Sequence, residues 1–276
     1  MKITRRILVG FGLVVASSTL ATVTAFAADS GGGIALPPEA MLLAVSLPAI
    51  LVGIGFHEWA HAWTAWKLGD STAEEEGRLS LNPLDHFDVL GTILIVVGVV
   101  TRLPVIGWGK PVPVDPGAFR RPITDNRKVA LAGPMMNLLI AGLALIVMFG
   151  LATILPLAGF RDPSGALMNI FLVFYQMIRL NFSLALFNML PIPPLDGSKV
   201  LESFVSAQHV ETLRQIEPMG IVIVYLLMQS GALDLPFSVL EAGISLLMNS
   251  LWLSLIYLAV VGLAWLLFVR SLRWFQ

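Results

Sequence analysis

The sequence predicts an all-α polytopic membrane protein: about six hydrophobic helices, with a small re-entrant, strand-like insertion after the helix that carries two closely spaced histidines. Three observations predict it. Of 276 residues, 57% are hydrophobic and 13% charged, and the mean hydropathy of +0.83 lies well above that of soluble domains. Several apolar runs reach the ~20 residues that a helix needs to cross ~30 Å of hydrocarbon. Lys and Arg collect in a few segments beside those runs, as in proteins whose orientation is set by cytosolic positive charge. Two function classes are disfavoured at once. A net charge of -1 leaves no electrostatic footprint for nucleic acid. The absence of cysteine removes disulfides, thiolate metal ligands and cysteine nucleophiles.

The elements follow in chain order. Lys2, Arg5 and Arg6, the apolar run 7–27 and Ala25-Phe26-Ala27 read equally as a signal peptide or a first transmembrane helix, so 1–28 forms one unit and 29–276 the main domain. Either way the N-terminus is cytosolic and ADSGGGIALPPE, 28–39, lies outside. The span 40–66 then runs inward to Lys67 and Arg78. Residues 87–108, FDVLGTILIVVGVVTRLPVIGW, are apolar but broken by Gly91, Gly98, Arg102, Pro104 and Gly107. That mixture predicts a helix-plus-strand loop entering and leaving by one side, shielded from lipid by other helices. Lys110, Arg120, Arg121, Arg127 and Lys128 make the next loop cytosolic too. Long spans follow at 129–158, 166–190 and 237–269, with a shorter apolar stretch at 216–230. Extended pieces are expected around 78–82 and 104–114, offering strand edges to a peptide.

The chemistry concentrates in GIGFHEWAHAW, 53–63. A charged group at a helix centre costs about 2.5–3.5 kcal/mol on insertion scales, so an intramembrane cluster points to function. His57 and His61, four apart, share one helix face and can converge on one zinc ion; Glu58 falls beside it, where a carboxylate can take a proton from water. The bland alternative is a pair of packing histidines. Trp59, Trp63 and Trp66 read as headgroup-level residues. A catalytic zinc needs a third protein ligand, for which the candidates are His86, His209, Asp85, Asp88, Asp196 and Glu202. Asp196 stands out: Pro191 ends the span 166–190, and Pro193 and Pro194 keep the next turn extended, presenting Asp196 on a rigid non-helical segment at the histidines' depth.

HEWAH at 57–61, AGPMMN at 132–137 and NMLPIPPLDG at 188–197 together resemble the site-2 protease family of intramembrane zinc metalloproteases. LNPLDHF at 81–87 and GWGKPVPVDP at 107–116 resemble its short bacterial branch, without PDZ or CBS domains. The resemblance covers about 50–230 and implies core helices at 40–66, 129–158 and 166–190. It also implies one Zn2+ per chain on His57, His61 and Asp196, with Glu58 as catalytic base. Asn188, which opens the last motif, is implied to position substrate; it and Asn137 are the candidate oxyanion donors, Asn137 being equally readable as a helix-helix contact. Gly133 and Pro134 are read as allowing close packing or a kink. The implied reaction is hydrolysis of peptide bonds within or beside the transmembrane segments of single-span membrane proteins, at the cytosolic side of a bacterial inner membrane, with the lipid bilayer as the other partner. A membrane metal transporter, or a metal-binding scaffold, is the alternative. Transporters usually carry internal repeats, and this sequence shows none. Arg179, Asn181 and Arg102 find no partner in sequence; His86 reads as a loop organiser and His209 as solvated.

Overall fold

The computed structural model describes residues 7–10, 38–101, 106–159 and 166–273. Most of the predicted first segment, and Arg102, lie outside them; Ile7–Gly10 is a short strand, β1. Helix α1 (Pro38–Lys67) ends where Gly69 adopts φ +104°, a left-handed conformation open to glycine. Gly69 N donates to Trp66 O and Asp70 N to Ala65 O, the bond pair that closes a helix C-terminus. The Asp70 carboxylate then accepts from Thr72 N at 3.0 Å and from Asp115 N at 2.8 Å. These bonds tie together the two loops on either side of the predicted re-entrant piece.

That piece has the expected form. After α2 (Thr72–Glu75) and a 3-10 turn over Pro83–His86, helix α3 (Val89–Thr101) leads into strand β2 (Ile106–Gly109). Thirteen residues rise only about 20 Å, too little to cross ~30 Å of hydrocarbon. The chain returns to its starting point: Phe87 bridges Gly109, and Lys110 N donates to His86 O at 2.8 Å. Gly91 leaves room for the backbone of Trp108. β2 pairs antiparallel with β1, Ile7 opposite Gly109 and Gly10 opposite Ile106. The extended piece expected at 78–82 is irregular instead. Its polar groups serve loop closure: Ser80 O bonds His86 Nε2 at 2.8 Å, and Arg78 Nη2 donates to Lys110 O.

Helix α4 (Pro122–Leu157) starts earlier than the predicted 129, with proline in its first turn and the Asp125 carboxylate accepting from Arg121 N. Helix α5 (Ala166–Asn188) matches the expected 166–190. The short α6 (Asp196–Glu202), α7 (Ala207–Ile216), α8 (Gly220–Gln229), α9 (Asp234–Met248) and α10 (Leu251–Arg273) follow. The stretch expected as one span, 237–269, is divided between α9 and α10. Asn249 Nδ2 donates to Ser245 O, and Ser254 Oγ donates to Leu247 O, so polar side chains serve the carbonyls at the break. Among the described residues, four helices are long and apolar enough to cross a membrane, or five if the pair 207–229 and 234–248, bent by 71°, forms one span.

Small residues let α1, α4 and α5 approach closely, as in membrane bundles that pack without a hydrophobic drive. Ala60 and Ala132 are fully buried where α1 meets α4, and a side chain at Gly53 would press on Leu184 and Asn181 of α5. Ile50, Ile54, Leu180 and Leu184 close one core layer; Leu145, Ile178, Phe182 and Ile244 close another.

Candidate metal centre and active site

His57 and His61 project from α1 at adjacent turns, and Asp196 reaches them from the first turn of α6. The predicted non-helical presentation of Asp196 is thus corrected: residues 189–195 are irregular, and Asp196 itself opens a helix. Gly197 permits this, because a side chain there would run into the carbonyls of Met189 and Leu190 at the end of α5.

The Nε2 atoms of His57 and His61 lie 3.0 Å apart, and Asp196 Oδ2 is 3.2 and 3.1 Å from them. All three residues are buried, and among the described residues they form the one His/acid group close enough to share an ion. Their outer bonds decide whether an ion fits. His57 Nδ1 donates to Asn137 Oδ1 and His61 Nδ1 to Val129 O, each at 2.6 Å. The Asn137 orientation is fixed in turn, since its Nδ2 donates to Gly53 O and Asn181 Oδ1. With both Nδ1 atoms protonated, the neutral imidazoles turn two Nε2 lone pairs and a carboxylate oxygen toward one point. That arrangement repels itself unless a cation or a proton is shared there. Donors ~2.0–2.2 Å from a tetrahedral zinc lie about 3.3–3.6 Å from one another, close to the observed triangle.

Gly133 of α4 forms the floor of the centre. A Cβ there would lie 2.6 Å from His57 Nε2 and closer still to His61 Nε2. Lys199 Nζ lies 3.1 Å from the outer oxygen, Asp196 Oδ1.

Glu58 is fully buried beside the triad. Its Oε2 accepts from Val112 N at 3.0 Å, while Oε1 has no hydrogen-bond partner among the described residues. With His61, Pro111, Val112, Val114, Asn126, Val129, Pro194 and Lys199 it lines a cavity of about 20 Å³, room for one water. Asn137 is brought to the site, but its bonds to His57, Gly53 and Asn181 occupy it. Asn188 is buried, donates to Leu184 O at 3.1 Å, and leaves its Oδ1 without a partner among the described residues. His86 holds Ser80 O, and His209 is exposed beside Ser206.

YwhC of Bacillus subtilis (strain 168), named as a candidate zinc metalloprotease, is 38% identical over 176 residues, 63% of this chain and 75% of its own length. The chain belongs to peptidase family M50. The profile of that family matches residues 160–229, which include NMLPIPPLDG. Rip2 of Mycolicibacterium smegmatis (strain ATCC 700084 / mc(2)155) is 32% identical over 190 residues, 67% of this chain and 66% of its own length. MJ0611 of Methanocaldococcus jannaschii, 33% identical over 167 residues, covers 59% of this chain and 71% of its own. Both are likewise named as candidate zinc metalloproteases. No solved structure matches the chain. M50 is the site-2 protease family that the three motifs resemble, its activity class is zinc metalloprotease, and the His-His-Asp centre fits a single zinc.

Val129, Val112 and Lys199 were not singled out in sequence. Val129 and Val112 act through backbone atoms, which no side-chain motif reveals. Lys199, three residues after Asp196 on a helix, was legible from spacing once α6 was known.

Proposed function

We propose that residues 29–276 form an intramembrane metalloprotease that hydrolyses peptide bonds within or beside the transmembrane segments of single-span membrane proteins. His57, His61 and Asp196 hold the zinc, and Glu58 is the base. The observation that carries the reading is the Glu58 carboxylate: a buried Oε1 without a partner among the described residues, on a cavity the size of one water, adjoining three candidate metal donors inside a bundle of apolar helices. Zinc, when bound, supplies Lewis acidity that makes water a nucleophile near neutral pH and polarises a carbonyl.

The chain's own residues do the rest. The Val112 N–H holds Glu58 Oε2, so the carboxylate keeps one orientation and Oε1 accepts the proton of the attacking water. The same carboxylic acid then delivers that proton to the leaving amine nitrogen. Asn137 orients His57 rather than touching substrate, and Val129 O does the same for His61. Asn188 is the substrate-positioning residue. The apolar walls of α1, α4 and α5 exclude bulk water from the ion. Lys67 at the end of α1 and Arg78, Lys110, Arg120 and Arg121 in the two loops tied by Asp70 support a cytosolic placement of this end in an inner membrane.

Glu58→Gln tests the reading. It should keep its zinc, lose turnover by at least 10²- to 10⁴-fold, and co-purify with uncut single-span proteins or membrane remnants that mass spectrometry finds cleaved, toward the cytosolic end of the span, in wild-type cells. A variant that accumulates no membrane segment but alters cellular metal content sinks the protease reading in favour of transport.

A further inference from the structure

A cleft beside the centre has no part in holding the metal. It has a volume of about 660 Å³ and is walled by Pro116, Pro122 and Ile123 on one side and by α6 and α7 on the other. Its volume falls within the ~300–1,000 Å³ of ligand sites. Asn126, Pro194 and Lys199 line both this cleft and the water-sized cavity at Glu58, so the two adjoin at those three side chains. Lys199, bonded to Asp196 Oδ1, stands at the threshold.

The α7 wall has the pattern of a helix that lacks a partner. Ala207, Val210, Leu213, Arg214 and Glu217 line the cleft at spacings of three and four, one face of a helix. No residue of α7 is buried. Its apolar stripe of Ala207, Val210 and Leu213 therefore faces the cleft rather than a core. Around the stripe the lining carries both signs, Lys199 and Arg214 against Glu202, Glu211 and Glu217. An apolar floor with mixed charge at its margins suits an irregular polypeptide, which presents side chains of every kind, and not a phosphate or another ligand of one charge.

Resting on the protease reading, we propose that this cleft binds the extended, unstructured stretch of substrate that adjoins the scissile bond, on the side of the bundle where the two charged loops lie. The segment enters past Asn126, Pro194 and Lys199, which align it with Glu58, and lies along α7. Affinity for the polypeptide flank thus adds to recognition of the transmembrane segment, and the same cleft guides the released polar fragment away from the centre.

The absence of native cysteine permits a direct test in the full-length protein. Single cysteines replace Ile123 and Glu211 in the cleft, and Glu76, exposed on α2's flank, as control. In a Glu58→Gln background, which separates binding from cleavage, β-casein serves as the unstructured probe. It should slow maleimide labelling of Ile123→Cys and Glu211→Cys several-fold and leave Glu76→Cys unchanged. With Glu58 intact, a polyethylene-glycol maleimide at either cleft position should reduce casein cleavage tenfold or more relative to the same variant before modification, with no effect at Glu76→Cys. Absence of protection at both cleft positions overturns the proposal. So does protection produced equally by protein-free lipid vesicles, which would assign the α7 face to the membrane surface. Protection without any casein cleavage by the parent protein would leave the cleft standing and count against the protease reading.

Discussion

The two imidazole donors of this centre are held by neighbours that carry no charge. Asn137 and Val129 fix the two imidazoles, and Gly133 leaves the space in which their Nε2 atoms converge. Glycine is required at position 133 for a reason unrelated to backbone flexibility: any Cβ would occupy the ligands' own volume. Gly133→Ala should therefore leave the helices formed while pushing both rings outward. Losses at groups that orient ligands typically run to 10–100-fold in metal affinity, and a loss at the upper end is expected here because both rings move. Zinc titration of the purified variant, beside circular dichroism, would decide. Wild-type affinity in a folded Gly133→Ala protein would show that the rings relax at no cost. In sequence Gly133 reads as allowing close packing or a kink, because the rings come from α1, more than 70 residues upstream.

At the scale of elements, the sequence was most legible where one physical signal dominated. Length and apolarity placed α1, α4 and α5, and the glycine- and proline-interrupted run at 87–108 was read as helix plus strand, as α3 and β2 bear out. Two readings failed where short polar contacts override hydropathy. Asn249 and Ser254 divide one apolar run into α9 and α10, and Ser80 and Arg78 keep 78–82 irregular. Arg179 found no carboxylate in sequence, since its partner lies beyond the last motif. Glu241 of α9 bonds its Nη2 at 2.6 Å and its Nε at 3.1 Å, with Arg179 itself 1% exposed. This pair fastens α9 to α5. Glu241 is 31% exposed, so losing it costs less than the roughly 3–5 kcal/mol typical of a fully buried pair, whereas apolar replacement of both is often neutral. Glu241→Leu should thus lower the unfolding midpoint in detergent, and Arg179→Met with Glu241→Leu should recover most of the loss. A double variant no better than the single would mean that Arg179 draws its stability from elsewhere.

For the whole molecule, the proposed metal ligands come from parts that the chain keeps far apart. His61 and Asp196 are separated by 135 positions, and α6, which bears Asp196, packs against the rest of the core through Gly197 and Leu195. In the unfolded chain the three donors are dispersed, so zinc binds the native state far more tightly and stabilises it by RT ln(1 + [Zn]/Kd), about 4 kcal/mol at a thousandfold excess over Kd. Chelation should lower the unfolding midpoint, and added zinc should restore it. The variants separate the structural role from the catalytic one. Asp196→Ala should lose the zinc-dependent part of the stability, because two imidazoles alone leave the site without its carboxylate and without the link to α6. Glu58→Gln, which changes no ligand, should keep the full zinc-dependent shift while losing turnover. A zinc response in Asp196→Ala equal to that of the wild type would remove Asp196 from the centre and reopen the search among His86, Asp85, Asp88, Glu202 and His209.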